Sequence, residues 1–322
     1  MTKMNLTPLG GRIYQFIPGF ETHLRAELKD AGEALSPSLY YLKNTGEQAY
    51  WAQNIWLEPF ELCFDSISEA AKTLISIQRN WSGIFHTQFR RAALIQDQLP
   101  ALPSRPRPFP WHLPDTPMGG WTLIDKNTIV ASAITSSPFA SGVIEFEEDK
   151  LGPPSRAYLK LWEAFIRARA WPKPGERCID AGASPGGWTW ALSSLGAQVL
   201  AIDRAPLEKS IAGLPGVSYL KHDAFTLKPE SLGKTDWLFS DVISYPDRLF
   251  GWIEQWLQSG LCKNFICTVK MQGNVSAAIS ARGDSHVLAA TRLFASIPGS
   301  VLLHLYHNKH ELTWIKIGEN PL

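Results

Sequence analysis

A glycine-rich turn in the second half of the chain constrains the fold more than any other feature. The letters DAGASPGGWT at 180–189 follow an apolar pair, Cys178–Ile179, and precede a helix-like stretch from Trp188 to Leu195. Because glycine has no side chain, the backbone of such a turn can approach a ligand closely. The first turn of a helix also leaves N–H groups free to bind an anionic group. The pattern predicts a strand, a ligand-binding turn and a helix start.

The residues of this turn indicate the ligand. Dinucleotide-binding turns carry G-x-G-x-x-G, whose second glycine lies against a pyrophosphate. Here that position is Ser184, followed by Pro185, so a smaller anion such as the carboxylate of a methionine moiety fits better. Asp203 ends the next apolar stretch, at a position where an acidic residue binds ribose hydroxyls in doubly wound folds. Together these residues predict a site for S-adenosylmethionine (SAM).

Length, composition and charge narrow the class of protein. The 322 residues allow two domains, and 45% hydrophobic with 19% charged residues are typical of a globular protein. The sequence has no apolar run of about 18 residues and no signal-peptide pattern, so we expect a cytoplasmic protein without a membrane partner. The net charge of +1 allows a nucleic-acid partner without requiring one. The cysteines form no C-x-x-C pair, so we expect buried free thiols and no metal site. No sequence feature indicates the oligomeric state, and a monomer is assumed.

The first part of the chain alternates predicted strands and helices. They are a strand at 12–17, a helix at 20–31, strands at 39–43 and 48–55, a helix from Ser66 or Ser68 through Ile77, and a strand at 81–89. This βαββαβ order predicts a ferredoxin-like α+β domain over residues 1–89. Residues 90–150 are expected to form an extended, unpacked proline-rich linker and a hairpin at 121–134.

Residues 151–322 show the regular alternation of an α/β domain. After a helix at 155–168, strands are predicted at 177–181, 198–203, 217–220, 236–240, 264–269, 301–306 and 311–317, with helices that include 246–259 and 275–297. A short turn joins the last two strands, so they should be antiparallel. The predicted fold class is α/β: a doubly wound, Rossmann-like sheet of seven strands preceded by the small α+β domain.

Charged residues follow the predicted parallel strands, where doubly wound folds bind their ligands. Asp180, Asp203, Asp223 and Asp241 end or follow the first four strands, and Lys270 ends the fifth. A lysine at the end of a buried strand is costly unless it is paired. Asp241 on the adjacent strand is its natural partner.

Four motifs resemble the FtsJ-like family of RNA ribose 2′-O-methyltransferases. SRAYLKL at 155–161 resembles the opening helix of that family, and residues 180–189 its SAM turn. SD at 240–241, TVK at 268–270 and LYHNKHE at 305–311 resemble the segments that carry its remaining active-site residues. The resemblance implies a catalytic tetrad of Lys160, Asp241, Lys270 and Glu311. It also implies a SAM site formed by Ser155, Asp180, Gly182, Ser184, Pro185, Gly186, Gly187, Trp188, Asp203, Asp223 and Asp241.

Within that family, the chain most resembles bacterial enzymes that methylate a cytidine of 23S rRNA, which carry a ferredoxin-like domain and a THUMP RNA-binding domain. The chain differs from the pattern of these enzymes and of their family at two places. Residues 86–135 are short for a complete THUMP domain, so we expect residues 90–150 to contain a reduced THUMP-like region. Val242-Ile243-Ser244 replaces the Met-Ala-Pro that many members carry after the aspartate, and we expect this change to alter the shape of the ribose pocket and to leave the chemistry intact.

The implied reaction is an in-line attack of a ribose 2′-hydroxyl on the methyl group of SAM, with RNA as partner. Lys270 is the expected base, with its pKa lowered by the like charge of Lys160. Two alternatives are a non-catalytic RNA-binding or ribosome-assembly factor that keeps a SAM pocket, and a methyltransferase for a non-RNA acceptor. The complete tetrad favours catalysis, and the N-terminal α+β region favours RNA.

Overall fold

The computed structural model describes residues 6–29, 31–43, 48–103, 106–271 and 284–318. The chain divides into two compact units. The first comprises Met1–Arg107 and Leu113–Glu145, and the second comprises Pro108–His112 and Phe146–Leu322. Over the described ranges, no helix combines the length and apolar character needed to cross a membrane.

The first unit contains short strands and three α-helices within its described residues. They are β1 (Leu6–Pro8), β2 (Arg12–Gln15), α1 (Glu21–Glu27), β3 (Glu33–Ser36), β4 (Leu39–Leu42), β5 (Asn54–Trp56), β6 (Pro59–Cys63), α2 (Ile67–Ile77), β7 (Trp81–Gly83), α3 (Phe89–Gln96), β8 (Gly119–Leu123) and β9 (Thr128–Ser132). Ser66 is the N-cap of α2: its hydroxyl accepts a hydrogen bond from the Glu69 N–H at 3.2 Å, which confirms one of the two predicted helix starts.

The strands of this unit form two sheets, and the four-stranded one has the antiparallel strand order of the ferredoxin-like fold that we expected. The predicted strand at 81–89 does not belong to it, because Trp81–Gly83 pairs in the other sheet. One sheet has the order β3-β4-β2-β5, and the other has the order β1-β6-β9-β8-β7. The predicted hairpin is present as β8 and β9, but β9 pairs with β6 along its whole length. The hairpin therefore belongs to the first unit and not to a separate region at 90–150. Pairing between strands so distant in sequence leaves no local pattern from which to predict it.

The proline-rich segment is extended, as predicted, but it is not an unpacked linker. Phe109 stacks on Trp162 with ring centroids 4.9 Å apart and lies against Phe165 at 6.0 Å. These contacts explain why residues 108–112 belong to the second unit. Aromatic burial stabilises the segment in place of backbone pairing.

The second unit alternates strands and helices. They are α4 (Tyr158–Ala168), β10 (Arg177–Ala181), α5 (Gly187–Ser194), β11 (Gln198–Asp203), α6 (Lys209–Ala212), β12 (Val217–Lys221), α7 (Pro229–Leu232), β13 (Trp237–Ser240), α8 (Pro246–Ser259), β14 (Asn264–Lys270), α9 (Asp284–Ala295), β15 (Ser300–Leu303) and β16 (Glu311–Ile317). The bounds of α8 match the prediction, whereas the predicted helix start at Val275 lies outside the described residues.

Seven strands form one sheet in the order β12-β11-β10-β13-β14-β16-β15. Strands β10 to β14 are parallel, and β16 is antiparallel to both of its neighbours, which confirms the predicted doubly wound sheet with a closing hairpin. The strand order reverses between β10 and β13, the point where such sheets bind ligands. Helix α4 packs on the sheet there, because its Phe165 ring contacts Trp237 and Phe239 edge to face.

Candidate active site

The fold brings the four residues of the predicted tetrad together. Lys160 lies on α4, Asp241 follows β13, Lys270 ends β14, and Glu311 begins β16 directly opposite Lys270 in the strand pairing. Lys160 Nζ lies 3.1 Å from Asp241 Oδ1, and Lys270 Nζ lies 2.6 Å from the same oxygen. Each ammonium also pairs with one carboxylate oxygen of Glu311. The four groups form a closed ring of alternating charge.

Burial and mutual charge define the protonation of this ring. The four side chains are between 8% and 19% exposed. Burial opposes the charged form of Asp241, but the two lysines lower its pKa below the usual value. For Lys270, burial also opposes the charged form, but the charges and hydrogen bonds of Asp241 and Glu311 raise its pKa above the usual value. The expected lowering by Lys160 is therefore wrong, because two carboxylates contact Lys270 Nζ directly.

Thr268 is a site residue to which the sequence assigned no role. Its hydroxyl donates a 2.6 Å hydrogen bond to Asp241 Oδ1. That oxygen therefore accepts from Thr268 as well as from both lysines. Thr268 lies two residues before Lys270 on β14, so both side chains point to the same face of the sheet. The i, i+2 spacing of Thr268 and Lys270 is the sequence feature from which a role for Thr268 at the site could have been predicted.

Trp188 contacts the tetrad and not an open pocket. Its indole N–H donates to the Ala157 carbonyl at 2.9 Å, and Lys160 Nζ lies 5.9 Å from the centre of its ring. The side chain is only 3% exposed. The structure therefore places Trp188 beneath Lys160, where it supports the ammonium by a cation–π contact.

The glycines of the turn are required by the protein's own close packing. Gly182 and Gly186 have φ of +81° and +120°, where other residues are strained. A Cβ at Gly182 would lie 2.4 Å from Val242 Cγ2, and a Cβ at Gly187 would lie 2.6 Å from Ser155 Oγ. The turn therefore lies against both Ser155 and the residue that follows Asp241. This contact joins the predicted SAM turn to the tetrad.

Asp203 holds the same turn in place. One carboxylate oxygen accepts from the Ser184 N–H at 3.0 Å and the other from the Ala205 N–H at 2.8 Å. The Ser184 hydroxyl donates to the Pro206 carbonyl at 2.9 Å. A carboxylate has about four lone-pair positions, so Asp203 can still accept hydrogen bonds from a ligand.

Asp180 offers an unsatisfied acceptor beside the turn. It is 1% exposed, and its Oδ2 accepts a 2.6 Å hydrogen bond from the Thr189 hydroxyl. Its Oδ1 is buried and has no hydrogen-bond partner among the described residues. Burial, which outweighs the hydrogen bond from Thr189, raises the pKa of Asp180 to about 7. A buried acceptor without a partner fits a ligand that donates to it, as the ammonium group of SAM does.

Asp223 has a protein partner that the sequence did not reveal. Its Oδ2 accepts from Arg248 at 2.8 Å, and its Oδ1 accepts from the Phe225 N–H at 3.1 Å. Partial burial opposes ionisation, but the hydrogen bond from Arg248 leads the effects that lower the pKa of Asp223. No motif marked Arg248, which lies in the first turn of α8. Asp223 is thus held as a carboxylate at the edge of the predicted SAM site.

Potential metal ligands do not cluster in the part of the chain that is described: no group of three or more His, Cys, Asp or Glu side chains could hold an ion. Three of the four cysteines are buried free thiols as predicted, but Cys63 is exposed.

Comparison with known proteins identifies the family. A model of FtsJ-like methyltransferases matches residues 153–296. A ribosomal RNA large subunit methyltransferase M from Xanthomonas oryzae pv. oryzae (strain PXO99A) is 30% identical over 301 residues, which cover 89% of this chain and 78% of the relative. This chain belongs to the FtsJ-like methyltransferase family. As a member of that family, it takes its methyl group from SAM, which confirms the prediction made from the glycine turn.

A second relative matches one half of the chain at higher identity. The protein of the same description from Thauera aminoaromatica is 34% identical over 167 residues, 50% of this chain and 45% of its own length. A solved fibrillarin from Aeropyrum pernix, with natively bound SAM, covers 48% of this chain and 73% of its own, at 16% identity and a TM-score of 0.34.

Proposed function

We propose that the protein transfers a methyl group from SAM to a ribose 2′-hydroxyl of large-subunit rRNA. The observation that carries the proposal is the closed ring of Lys160, Asp241, Lys270 and Glu311 beside the glycine turn. A hydroxyl is a weak nucleophile and benefits from a positioned base. The similarity to ribosomal RNA large subunit methyltransferases supports large-subunit rRNA as the substrate.

In the proposed reaction, Lys270 Nζ accepts the proton of the 2′-hydroxyl as the oxygen attacks. SAM supplies a methyl group that its sulfonium already activates, and S-adenosylhomocysteine leaves as the C–S bond breaks. Asp241 and Glu311 hold Nζ in position, and Lys160 balances their charge. Because an ammonium has no free electron pair, Lys270 must lose a proton before it accepts one. Alignment of the reacting groups provides the remaining rate enhancement.

The proposed SAM site uses the residues expected from the sequence: Ser155, Asp180, Gly182, Ser184, Pro185, Gly186, Gly187, Asp203, Asp223 and Asp241. The backbone N–H groups at the start of α5 and the unpartnered Asp180 Oδ1 suit the methionine end. Asp203 suits the ribose and Asp223 the adenine amino group. Trp188 has a role through Lys160 in place of direct contact.

A groove in the first unit suits an RNA backbone. It has a volume of about 420 Å³ and is lined by Ile67, Gln88, Phe89, Arg90, Arg91, Leu94 and Lys126. Phe89 is 63% exposed and Leu94 43% exposed. Residues 1–150 contain 13 Lys and Arg against 16 Asp and Glu, a net charge of −3, so three clustered cations here are a local exception. Cations beside an exposed aromatic ring match the chemistry of single-stranded RNA binding.

Transfer of labelled methyl from SAM tests the proposal. Total RNA, protein-free rRNA and tRNA would be offered separately and digested to nucleosides. We expect a 2′-O-methylated nucleoside from rRNA with the wild-type protein and none with Lys270→Ala, while SAM binding stays within about threefold. Lys263→Ala, which changes an exposed lysine directly before the start of the same strand, is the matched control and should retain activity.

The other outcomes separate the alternatives. Label on a base instead of a ribose would reject the 2′-O-methyl reaction. SAM binding without label in any RNA would favour a non-RNA acceptor, or an assembly factor that keeps its SAM pocket. Wild-type turnover by Lys270→Ala would show that Lys270 is not the base.

A further inference from the structure

Glu163 is a buried carboxylate that the proposed chemistry does not use. It lies on α4, one turn after Lys160, and is 2% exposed. Its Oε1 accepts from the Tyr306 N–H at 2.8 Å, and its Oε2 accepts from the His307 N–H at 3.0 Å. His307 Nδ1 also lies 2.8 Å from Oε2. A buried carboxylate is expensive unless such bonds satisfy it, so its presence calls for a reason.

All three of these bonds reach the segment that leads to Glu311. Residues 304–310 connect β15 to β16, and further bonds hold the segment in one shape. His304 Nε2 lies 3.1 Å from the Lys309 carbonyl, and the Thr313 hydroxyl donates to Asn308 Oδ1 at 3.0 Å. His310 Nδ1 lies 3.1 Å from the Met271 carbonyl, next to Lys270. These bonds connect residues 304–310 to β16, which Glu311 begins, and to Met271 beside Lys270.

We infer that Glu163 is a positioning residue for methyl transfer, which sets the spacing between Lys160 and Glu311. One helix carries both Glu163 and Lys160, three residues apart and therefore on one face. The carboxylate of Glu163 fastens this helix to the segment before Glu311, so the Lys160–Glu311 ion pair closes in one geometry. The hydrogen bonds given above for Glu163 reach Tyr306 and His307 and none of the tetrad side chains. The inference rests on the proposed function for its effect on turnover, but its structural effect is independent of the acceptor.

Glu163→Gln is the main test. The amide keeps one acceptor oxygen but turns an N–H₂ group toward backbone N–H donors, so at least one bond is lost. A displacement of about 1 Å in an active site can cost about 100-fold in rate. We expect kcat to fall about 10- to 100-fold, with the KM for rRNA and the Kd for SAM within about threefold. Thr235→Val, which removes a buried hydroxyl bonded to the Arg177 carbonyl near the far end of the sheet, is the control for lost stability and should keep kcat.

Two further measurements separate positioning from a general structural role. If Glu163 acts through Glu311, kcat of Glu163→Gln combined with Glu311→Gln should match that of Glu311→Gln alone. His307→Asn keeps a side-chain donor and should retain most of the activity, whereas His307→Phe should lose several-fold. Multiplicative effects in the double variant, or normal kcat in both Glu163→Gln and His307→Phe, would overturn the inference.

A crystal structure of Glu163→Gln decides the inference even if the acceptor is not RNA. Displacement of residues 305–307 with loss of the Lys160–Glu311 ion pair is the expected result. An intact ion pair in that variant would reject the positioning role. Absence of wild-type turnover on rRNA would instead reject the proposed acceptor, so the two failures are distinguishable.

Discussion

At the scale of single residues, the raised pKa of Lys270 makes a kinetic prediction. Only the neutral amine can accept a proton, and the carboxylates of Asp241 and Glu311 keep the ammonium favoured to high pH. If Lys270 is the base, kcat should therefore rise about tenfold per pH unit from about pH 7 to 9 without a plateau. Single-turnover methyl transfer at a series of pH values measures this. A plateau near pH 7 would instead indicate a base with a lowered pKa.

Asp180 gives a prediction about stability. Its pKa is about 7 in the folded protein and near 3.8 in an unfolded chain, so the folded state binds the extra proton between these values. The contribution of Asp180 to the free energy of unfolding is then greatest below about pH 4 and falls as the pH rises toward 7. The fall is about 4 kcal/mol for a pKa difference of about three units. Asp180→Asn should remove this loss. Urea unfolding of both proteins without SAM at pH 5 and 8 tests it, and equal pH dependence in the two would contradict it.

At the scale of elements, the sequence predicted the site better than the pairing of the N-terminal strands. Asp180, Asp241 and Lys270 could be placed together because the carboxyl ends of parallel strands meet at one edge of a sheet. No such rule predicts the pairing of β6 with β9, because these two strands are far apart in the sequence. Thr268 and Arg248 were missed because their roles depend on which carboxylate each contacts in three dimensions.

Helix α3 and the β8–β9 turn carry the prediction about RNA contact. Arg90→Glu combined with Lys126→Glu replaces two exposed cations of the groove with anions. We expect the KM for rRNA to rise about tenfold or more and its salt dependence to weaken, with kcat at saturation nearly unchanged. Lys72→Glu, an exposed change on α2 outside the groove, controls for charge alone. Equal KM values for the groove and control variants would place the RNA contact elsewhere.

At the scale of the whole molecule, each unit has its own buried core. The first is built around Leu74, Trp81 and Trp121, and the second around sheet residues such as Ile179 and Phe239. Trp121 is 0% exposed and packs in the first core, so it cannot stack on a base. The predicted SAM residues, in contrast, all lie in the second unit. SAM binding should therefore stabilise the second core and leave the stability of the first unchanged.

Thermal unfolding measures this difference in SAM stabilisation between the two units. A ligand at 100 times its Kd stabilises the unit that binds it by about 2.7 kcal/mol. We expect calorimetry to show two transitions, with SAM raising the Tm of one and leaving the other in place. Asp203→Ala, which removes the carboxylate that holds the Ser184 and Ala205 N–H groups, should abolish the shift. One transition that moves as a whole with SAM would instead show that the two cores unfold as a single cooperative structure.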